Sequence, residues 1–406
     1  MTTSRLGELS YLAGRAASLG SRPAYLLICN HFFGNAVATI LASVILVAAM
    51  LNAVAGVDSH RIYYARHFGD APGSAARAYG RYIFAQLLVG LTGCCVCIGY
   101  FVFVERSAWL ALAAAGFVAT ERLADETLRY MLFQRARAHW GRLMIVRIGA
   151  QMVLIGLVVL ARPSVEAAAC FALAMLAGNL VAFGRSIPFG FLRRTFARPW
   201  LVGGHVRAAI RLILNSGIIW VLSLATMFSG YLDRLIVLAA SKTDLAIFSL
   251  IVASLSIVQT AIDYFYFSQH RREFLEGRIS FFAAIRSRAY QFVIAGSLAV
   301  GLTLTAVNIL LYRGAPHVPI VAIVFVALIQ VTIGTSLIVR EIAYWNNQLK
   351  AILRVEIIFF AAIGLIFATL YLAKLHYVWL LPPAAASLLL RLVLFARIKH
   401  ERIPIS

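Results

Sequence analysis

Charged residues are scarce in this sequence, and acidic residues are the scarcest of them. Only 13% of the 406 residues are charged, whereas about a quarter are charged in an ordinary soluble domain. Hydrophobic residues make up 62% of the chain and the mean hydropathy is +0.86. These values exclude a soluble globular domain, a disordered chain and a coiled coil. Alternating ten-residue strand patterns are also missing, which excludes an outer-membrane barrel. The composition predicts an all-α integral membrane protein.

Motifs for catalysis and for cofactor binding are missing as well. The loops hold no phosphate-binding glycine loop, histidine cluster, paired carboxylates or serine–histidine arrangement. Cys94 and Cys97 have C-x-x-C spacing, but a zinc or redox site would need further ligands nearby. We interpret them as small apolar residues of a membrane helix. The sequence predicts no enzyme activity, no cofactor and no metal site.

The formal net charge is +21, which in a soluble protein would indicate nucleic-acid binding. Here the basic residues lie between apolar runs and form no basic domain, so we predict that they set the orientation in a membrane.

A helix that spans a bilayer needs about 20 apolar residues. Eleven segments meet this requirement: 31–57, 83–104, 107–132, 143–161, 164–184, 209–240, 245–267, 290–312, 316–339, 351–373 and 376–397.

The loops between these segments alternate between short and long. Each short loop holds one basic residue, and these are Arg106, Arg162, Lys242, Arg313 and Lys374. The long loops and the C-terminal tail hold most of the others, which places them in the cytoplasm. An odd number of spans then puts the N-terminus outside.

An internal repeat divides the chain into two halves. Spans 31–57 and 245–267 are each followed by a basic stretch, a glycine, and a basic and aromatic helix start. Similar halves with the same orientation predict two parallel helix bundles. The predicted parts are an N-terminal segment with an amphipathic helix (1–30), an N-terminal lobe (31–184), a basic cytoplasmic linker (185–208), a C-terminal lobe (209–397) and a cytoplasmic tail (398–406). In this scheme span 209–240 has no partner in the first half, so a first helix is missing or atypical.

Three stretches resemble the multidrug/oligosaccharidyl-lipid/polysaccharide flippase superfamily. Gly-Tyr-Leu-Asp-Arg-Leu-Ile-Val at 230–237 is similar to an Asp-Arg element in the first helix of that family's C-terminal lobe. Residues 244–250 resemble the start of the next helix, with Ala246 and Phe248 in place of Gly and Tyr. Residues 126–137 resemble the charged helix end of the N-terminal lobe. The polysaccharide-exporter and O-antigen-flippase branch is the most similar one.

The resemblance implies a twelve-helix fold and a function. A flippase of this kind moves lipid-linked glycans across the bacterial cytoplasmic membrane by alternating access, during synthesis of cell-surface polysaccharide. The implied partners are the lipid-linked glycan, membrane lipids and polysaccharide-synthesis enzymes. A cation-coupled drug or metabolite antiporter of the same superfamily is the alternative. It would need buried acidic groups, which are few here. A membrane enzyme is a third hypothesis, which the short outer loops disfavour.

Charged residues inside spans are functional candidates, because each costs about 2.5–3.5 kcal/mol to insert. Asp233 and Arg234 form the clearest pair, and neighbours on a helix point about 100° apart, so each is expected to need another partner. Arg122, Arg147 and Arg185 could bind the pyrophosphate of a lipid-linked sugar. The alternative roles are helix packing for the pair and orientation in the membrane for the three arginines.

Three acidic residues lie on the same predicted helix as Arg122. Glu121, Asp125 and Glu126 could neutralise Arg122 and Arg129, since Asp125 and Glu126 each lie three or four positions from both arginines along the helix.

Asp263 could gate transport by pairing with an arginine of the other lobe. Glu356 is a second gating candidate, although Arg354 nearby favours a local charge cluster. Amides in apolar runs could bind sugars or link helices, and these are Asn35, Gln86, Asn179, Asn215, Gln259, Asn308 and Gln330.

Overall fold

The computed structural model describes residues 2–67, 72–133, 136–163, 166–184, 186, 199–215, 217–275, 281–314, 318–345 and 348–398. Within these ranges all regular structure is helical and no strand is present. The helices are α1 (Thr2–His67), α2 (Pro72–Phe103), α3 (Ala108–Phe133), α4 (Arg137–Ala161), α5 (Ala167–Phe183), α6 (Pro199–Asn215), α7 (Gly217–Ala240), α8 (Leu245–Leu255), α9 (Ile257–Ala261), α10 (Ser268–Leu275), α11 (Phe281–Arg286), α12 (Arg288–Leu311), α13 (Ile320–Trp345), α14 (Leu349–Ala373) and α15 (Leu381–Ala396). A π-helical turn, Ile262–Phe267, joins α9 to α10.

Nine helical segments of the described residues are long and apolar enough to cross a membrane. They are Gly7–Val54, Tyr82–Phe103, Ala138–Ala161, Trp220–Ala240, Lys242–Phe267, Arg288–Leu311, Ile320–Arg340, Leu349–Ala373 and Tyr377–Ala396. This agrees with the prediction of an all-α, multi-pass membrane protein.

Two of the predicted spans are helical but are not among these nine. Predicted span 164–184 is the shorter apolar helix α5. Predicted span 107–132 is α3, whose second half holds several charged residues.

The chain divides into two compact units, Met1–Met227 and Phe228–Ser406. The division falls inside α7. The linker predicted at 185–208 lies partly outside the described residues, at 185 and 187–198.

In the first unit, α1 is broken at Gly34 into an N-terminal arm (residues 2–33) and a second arm (residues 35–67). Gly34 has φ 86° and ψ 173°, a backbone conformation that is essentially restricted to glycine. The helix predicted within residues 1–30 therefore continues to residue 33 and ends at a glycine break.

The N-terminal arm runs parallel to α4. The Ser10 hydroxyl donates to the carbonyl of Ala138 at 3.3 Å, and the Tyr25 hydroxyl bonds Gln151 Oε1 at 2.6 Å. Between these contacts two glycines meet, because a Cβ placed on Gly14 would lie only 2.9 Å from the Cα of Gly141. The arm is held by this close backbone contact as well as by its buried aromatic residues.

The second arm runs antiparallel to α2. Ser43 interacts with Tyr100, and further along the arm Leu51 packs on Gly93, so residue numbers rise on one helix as they fall on the other. Hydrogen bonds show that α2 is antiparallel to α3 and that α3 is parallel to α5. Helix α5 runs back along α4, because α4 ends at Ala161, α5 begins at Ala167, and Gln151 of α4 bonds Met175 and Asn179 of α5. The N-terminal arm, which is parallel to α4, is therefore antiparallel to the second arm.

In the second unit, glycines bring α12 and α13 close to the α8–α9 segment. A Cβ on Gly301 would lie 3.2 Å from the carbonyl oxygen of Ser254, and one on Gly334 would lie 3.1 Å from the Cα of Gln259. The Asn308 amide also donates to the Ser254 hydroxyl at 2.8 Å. These contacts hold a segment whose α-helix is interrupted at Ser256.

Candidate functional site: buried arginine and carboxylate clusters

The first unit holds a polar cluster around Glu121 of α3, which we call the Glu121 cluster. Glu121 is buried, and its carboxylate contacts three donors from three other helices. Arg147 of α4 forms an ion pair with it, Arg22 of the N-terminal arm lies at 3.5 Å, and Asn179 of α5 donates to it at 3.2 Å. The cluster therefore connects four helices through one carboxylate.

Amides and a tyrosine extend this cluster away from the charges. Gln151 donates to Asn179 Oδ1 at 3.2 Å and to the carbonyl of Met175 at 3.0 Å, and it also bonds the Tyr25 hydroxyl. Sequence reasoning named Asn179 and Arg147 but missed Tyr25 and Gln151. Nothing in the local sequence marks these two residues, because they meet only when the N-terminal arm packs on α4.

The Glu121 cluster contains one carboxylate and two guanidinium groups, so it has a surplus positive charge. The Arg22 side chain is 45% exposed, whereas that of Glu121 is 7% exposed. The Nε of Arg147 is buried and has no hydrogen-bond acceptor in the part of the chain that the structure describes. An exposed guanidinium beside an occupied carboxylate can bind an anionic ligand without first breaking the stronger buried pair.

A second cluster on α3 is balanced in charge. Arg122 is buried and contacts Asp125 at 3.1 Å and Glu126 at 3.0 Å, and it donates to Gln86 of α2 at 2.6 Å. Arg129 contacts Asp125 at 2.7 Å. Asp125 and Glu126 thus form the predicted pairs along one helix, whereas Glu121 pairs with residues of other helices.

Asp233 and Arg234 of α7 were expected not to pair with each other, and that part of the expectation was wrong, although each also has a further partner as expected. Arg234 Nε lies 3.5 Å from Asp233 Oδ1, and the Arg234 backbone N–H donates to the same oxygen at 2.7 Å. The long arginine side chain folds back along the helix, where it also donates to the carbonyl of Gly230 at 3.0 Å and lies over the ring of Tyr231.

Asp233 also has a partner on another helix. It is fully buried, and Gln330 of α13 donates to its second oxygen at 3.1 Å. Gln330 in turn accepts from Gln259 of α9. This chain of side chains connects three helices of the second unit, which fits the packing role left open by the sequence.

Glu356 of α14 forms the most buried ion pair in the described part of the second unit. Arg391 of α15 donates to it twice, at 2.5 Å and 2.9 Å, and Arg340 of α13 lies 3.8 Å away. The expected local cluster with Arg354 was wrong. Arg354 is exposed, because residues two apart on a helix point to different sides.

The other two predicted residues are Asp263 and Arg185. Asp263 is exposed and lies in the π-helical turn beside Tyr264, and its role as a gate stays a prediction. Arg185 lies outside the described residues. Within the described ranges, no group of three or more metal-ligating side chains is present.

No protein-family model, curated protein or solved structure matches this chain. The resemblance to the flippase superfamily therefore rests on the sequence motifs alone.

Proposed function

We propose that this protein is a flippase that moves a lipid-linked glycan across the bacterial cytoplasmic membrane. The observation that carries the proposal is the surplus positive charge of the Glu121 cluster, with Arg22 partly exposed at its edge. The cargo of such a flippase contains a pyrophosphate, which guanidinium groups bind through two parallel hydrogen bonds. The same proposal includes transport by alternating access, a cytoplasmic location of the basic loops and partnership with polysaccharide-synthesis enzymes.

The arrangement of α1 supports a twelve-span topology within this proposal. The apolar segment Gly7–Val54 has 48 residues and would be about 72 Å long as one straight helix, more than twice the thickness of a bilayer core. The break at Gly34 divides it into two antiparallel arms that are each long enough to cross. The N-terminal arm would then be the missing first span, and the N-terminus would lie in the cytoplasm, in agreement with its basic residues.

The pairing of the buried carboxylates favours an anionic cargo over a cationic one. The four that the described residues contain are Glu121, Glu126, Asp233 and Glu356. Each lies within 3.5 Å of an arginine nitrogen. A carboxylate already neutralised by arginine is a poor site for a sodium ion or a cationic drug, which supports the flippase over the antiporter.

The Glu121 cluster suggests how the cargo would be held and released. Glu121 fixes Arg147 and leaves the outer guanidinium of Arg22 to contact the pyrophosphate. Because Arg22 is shared between Glu121 and the cargo, its contact with Glu121 can reform as the cargo leaves.

Deletion of the gene tests this proposal. Cells without the protein should accumulate lipid-linked glycan on the cytoplasmic leaflet and lose surface polysaccharide, and the mass of the accumulated lipid identifies the cargo. A normal pool together with normal surface polysaccharide would argue against the flippase and favour small-molecule antiport.

A further inference from the structure

An arginine in the first half of the N-terminal arm is held in place by aromatic rings. The guanidinium of Arg15 lies 5.4 Å from the ring centre of Tyr11 and 5.1 Å from that of Trp140, and its Nε donates to the Tyr11 hydroxyl at 3.0 Å. The two rings contact each other with centres 4.9 Å apart. Arg15 is therefore oriented in advance, with its two terminal nitrogens available for a ligand.

Arg15 has no acidic partner within salt-bridge distance in the described part of the chain. The nearest acidic residue in sequence, Glu8, lies almost two helical turns away and is exposed. His139 and Arg142, in the first two turns of α4, are exposed as well. A partly buried arginine on an aromatic platform without a carboxylate favours an anionic ligand.

Two further groups at the same place can donate hydrogen bonds. The indole N–H of Trp140 belongs to a side chain that is 5% exposed, and it has no acceptor among the described residues. The helix α4 begins here with Ala136 as its N-cap, and the alanine side chain makes no capping hydrogen bond. The first N–H groups of a helix attract negative charge. We call Arg15, Trp140 and the first turn of α4 the Arg15 site.

The surroundings of the Arg15 site are those of a lipid-facing surface. Exposed apolar side chains lie on both helices that form it, Leu9 and Leu12 on the arm and Ile145 and Val146 on α4. Tyrosine, tryptophan and arginine together are typical of the level of lipid headgroups. A ligand at this position would have its charge at the Arg15 site and its apolar part along the two helices.

We propose that the Arg15 site binds the phosphate of an anionic phospholipid headgroup. Basic pockets between membrane helices near the cytoplasmic surface bind such lipids in general. The lipid would link the N-terminal arm to α4 at the point where Gly14 and Gly141 already bring the two backbones together. This inference concerns the membrane and is independent of the transported cargo.

Thermal unfolding of the purified full-length protein in mild detergent tests the proposal. Phosphatidylglycerol, phosphatidylcholine or inorganic phosphate is added to wild type, Arg15→Gln, and the charge-matched control Arg106→Gln, which alters an exposed arginine just beyond α2. We expect phosphatidylglycerol to raise the unfolding midpoint of wild type and of the control, and phosphatidylcholine and phosphate to leave it unchanged. Arg15→Gln should need about tenfold more phosphatidylglycerol for half the effect.

The proposal would be overturned if Arg15→Gln and Arg106→Gln needed the same phosphatidylglycerol concentration for half the rise in unfolding midpoint. Stabilisation by inorganic phosphate equal to that by phosphatidylglycerol would also overturn it, because the site would then bind any anion. If Arg15→Gln does not fold, Trp140→Phe is the deciding variant, since it keeps an aromatic ring beside Arg15 and removes the indole N–H together with the rest of the five-membered ring. A half-saturating concentration of phosphatidylglycerol unchanged in Trp140→Phe would then contradict the proposed site.

Discussion

Glu356 and Arg391 lie 35 positions apart in the sequence and form a two-point ion pair between neighbouring helices, with N–O distances of 2.5 Å and 2.9 Å. Both side chains are at most 2% exposed, and the guanidinium of Arg391 lies 5.0 Å from the ring centres of both Phe359 and Phe395. A pair this buried fixes α14 against α15, because neither charge can turn towards water.

Removal of the Glu356 charge is expected to destabilise the second unit. Glu356→Gln would leave the buried guanidinium of Arg391 without the carboxylate that it pairs with, at a cost of about 3–5 kcal/mol. Thermal unfolding in detergent measures the change. The matched control is Glu273→Gln, which alters a carboxylate that is 46% exposed and should change stability by no more than about 0.5 kcal/mol. Equal unfolding midpoints for both variants would show that the pair does not stabilise the fold.

The contact between the N-terminal arm and α4 makes a prediction for Gly141. A Cβ at this position would lie 2.1 Å from the backbone oxygen of Ser10, which cannot rotate away. Gly141→Ala should therefore separate the helices and cost about 1–3 kcal/mol. Gly149→Ala on the same helix is the control. Apart from the backbone of its own helix, no described atom lies within 4 Å of its Cβ position, so this variant should keep or slightly raise stability. The comparison uses the unfolding midpoints of the two variants, and a Gly141→Ala midpoint as high as that of the control would contradict the close contact.

The antiparallel arms of α1 predict the side on which the N-terminus lies. Tags at the N-terminus and within 268–289 should report the cytoplasmic side, and a tag at 241–244 should report the opposite side. Labelling by a membrane-impermeant reagent in intact and in opened cells distinguishes the two sides. If the N-terminal tag were labelled in intact cells, the arm would not cross the membrane. If the tags within 268–289 and at 241–244 reported the same side, the assignment of the loops would be wrong.

Arg234 offers a prediction that concerns transport. Reversing its charge would place two negative charges side by side in a buried position, so the neutral Arg234→Gln is the cleaner variant. If the pair with Asp233 serves transport, this variant should lower export of surface polysaccharide in a deletion strain while the amount of folded protein, judged by gel filtration, stays normal. Normal export by Arg234→Gln would assign the pair to packing within the second unit. Arg354→Gln, which alters an exposed arginine of the same unit, is the control and should export normally.

Sequence reasoning predicted those features that depend on neighbouring residues. The helical membrane fold follows from apolar runs of about 20 residues, and the pairs of Arg122 with Asp125 and Glu126 follow from helical spacing. The pairs of Glu121 with Arg147 and of Glu356 with Arg391 were missed, because they join separate helices and no local pattern records such a contact.

The N-terminal arm was underestimated for a related reason. Arg15, Arg22 and Pro23 interrupt its apolar run, so the sequence predicts only a short amphipathic helix. In the folded unit Arg15 packs on Tyr11 of its own helix and on Trp140 of α4, and Arg22 reaches Glu121 of α3. Hydropathy alone treats such residues as exposed to lipid, so it begins the first apolar segment at residue 31, whereas the apolar helical segment of the structure begins at Gly7.

The most direct test of the proposed function is translocation in proteoliposomes. The lipid-linked glycan that accumulates in deletion cells is incorporated into both leaflets of liposomes, and a glycan-cleaving enzyme added outside measures the protected fraction. We predict that wild-type protein lowers the protected fraction well below one half, and that Arg147→Gln does so more slowly. A protected fraction that stays near one half with folded wild-type protein, as in protein-free liposomes, would contradict the flippase function.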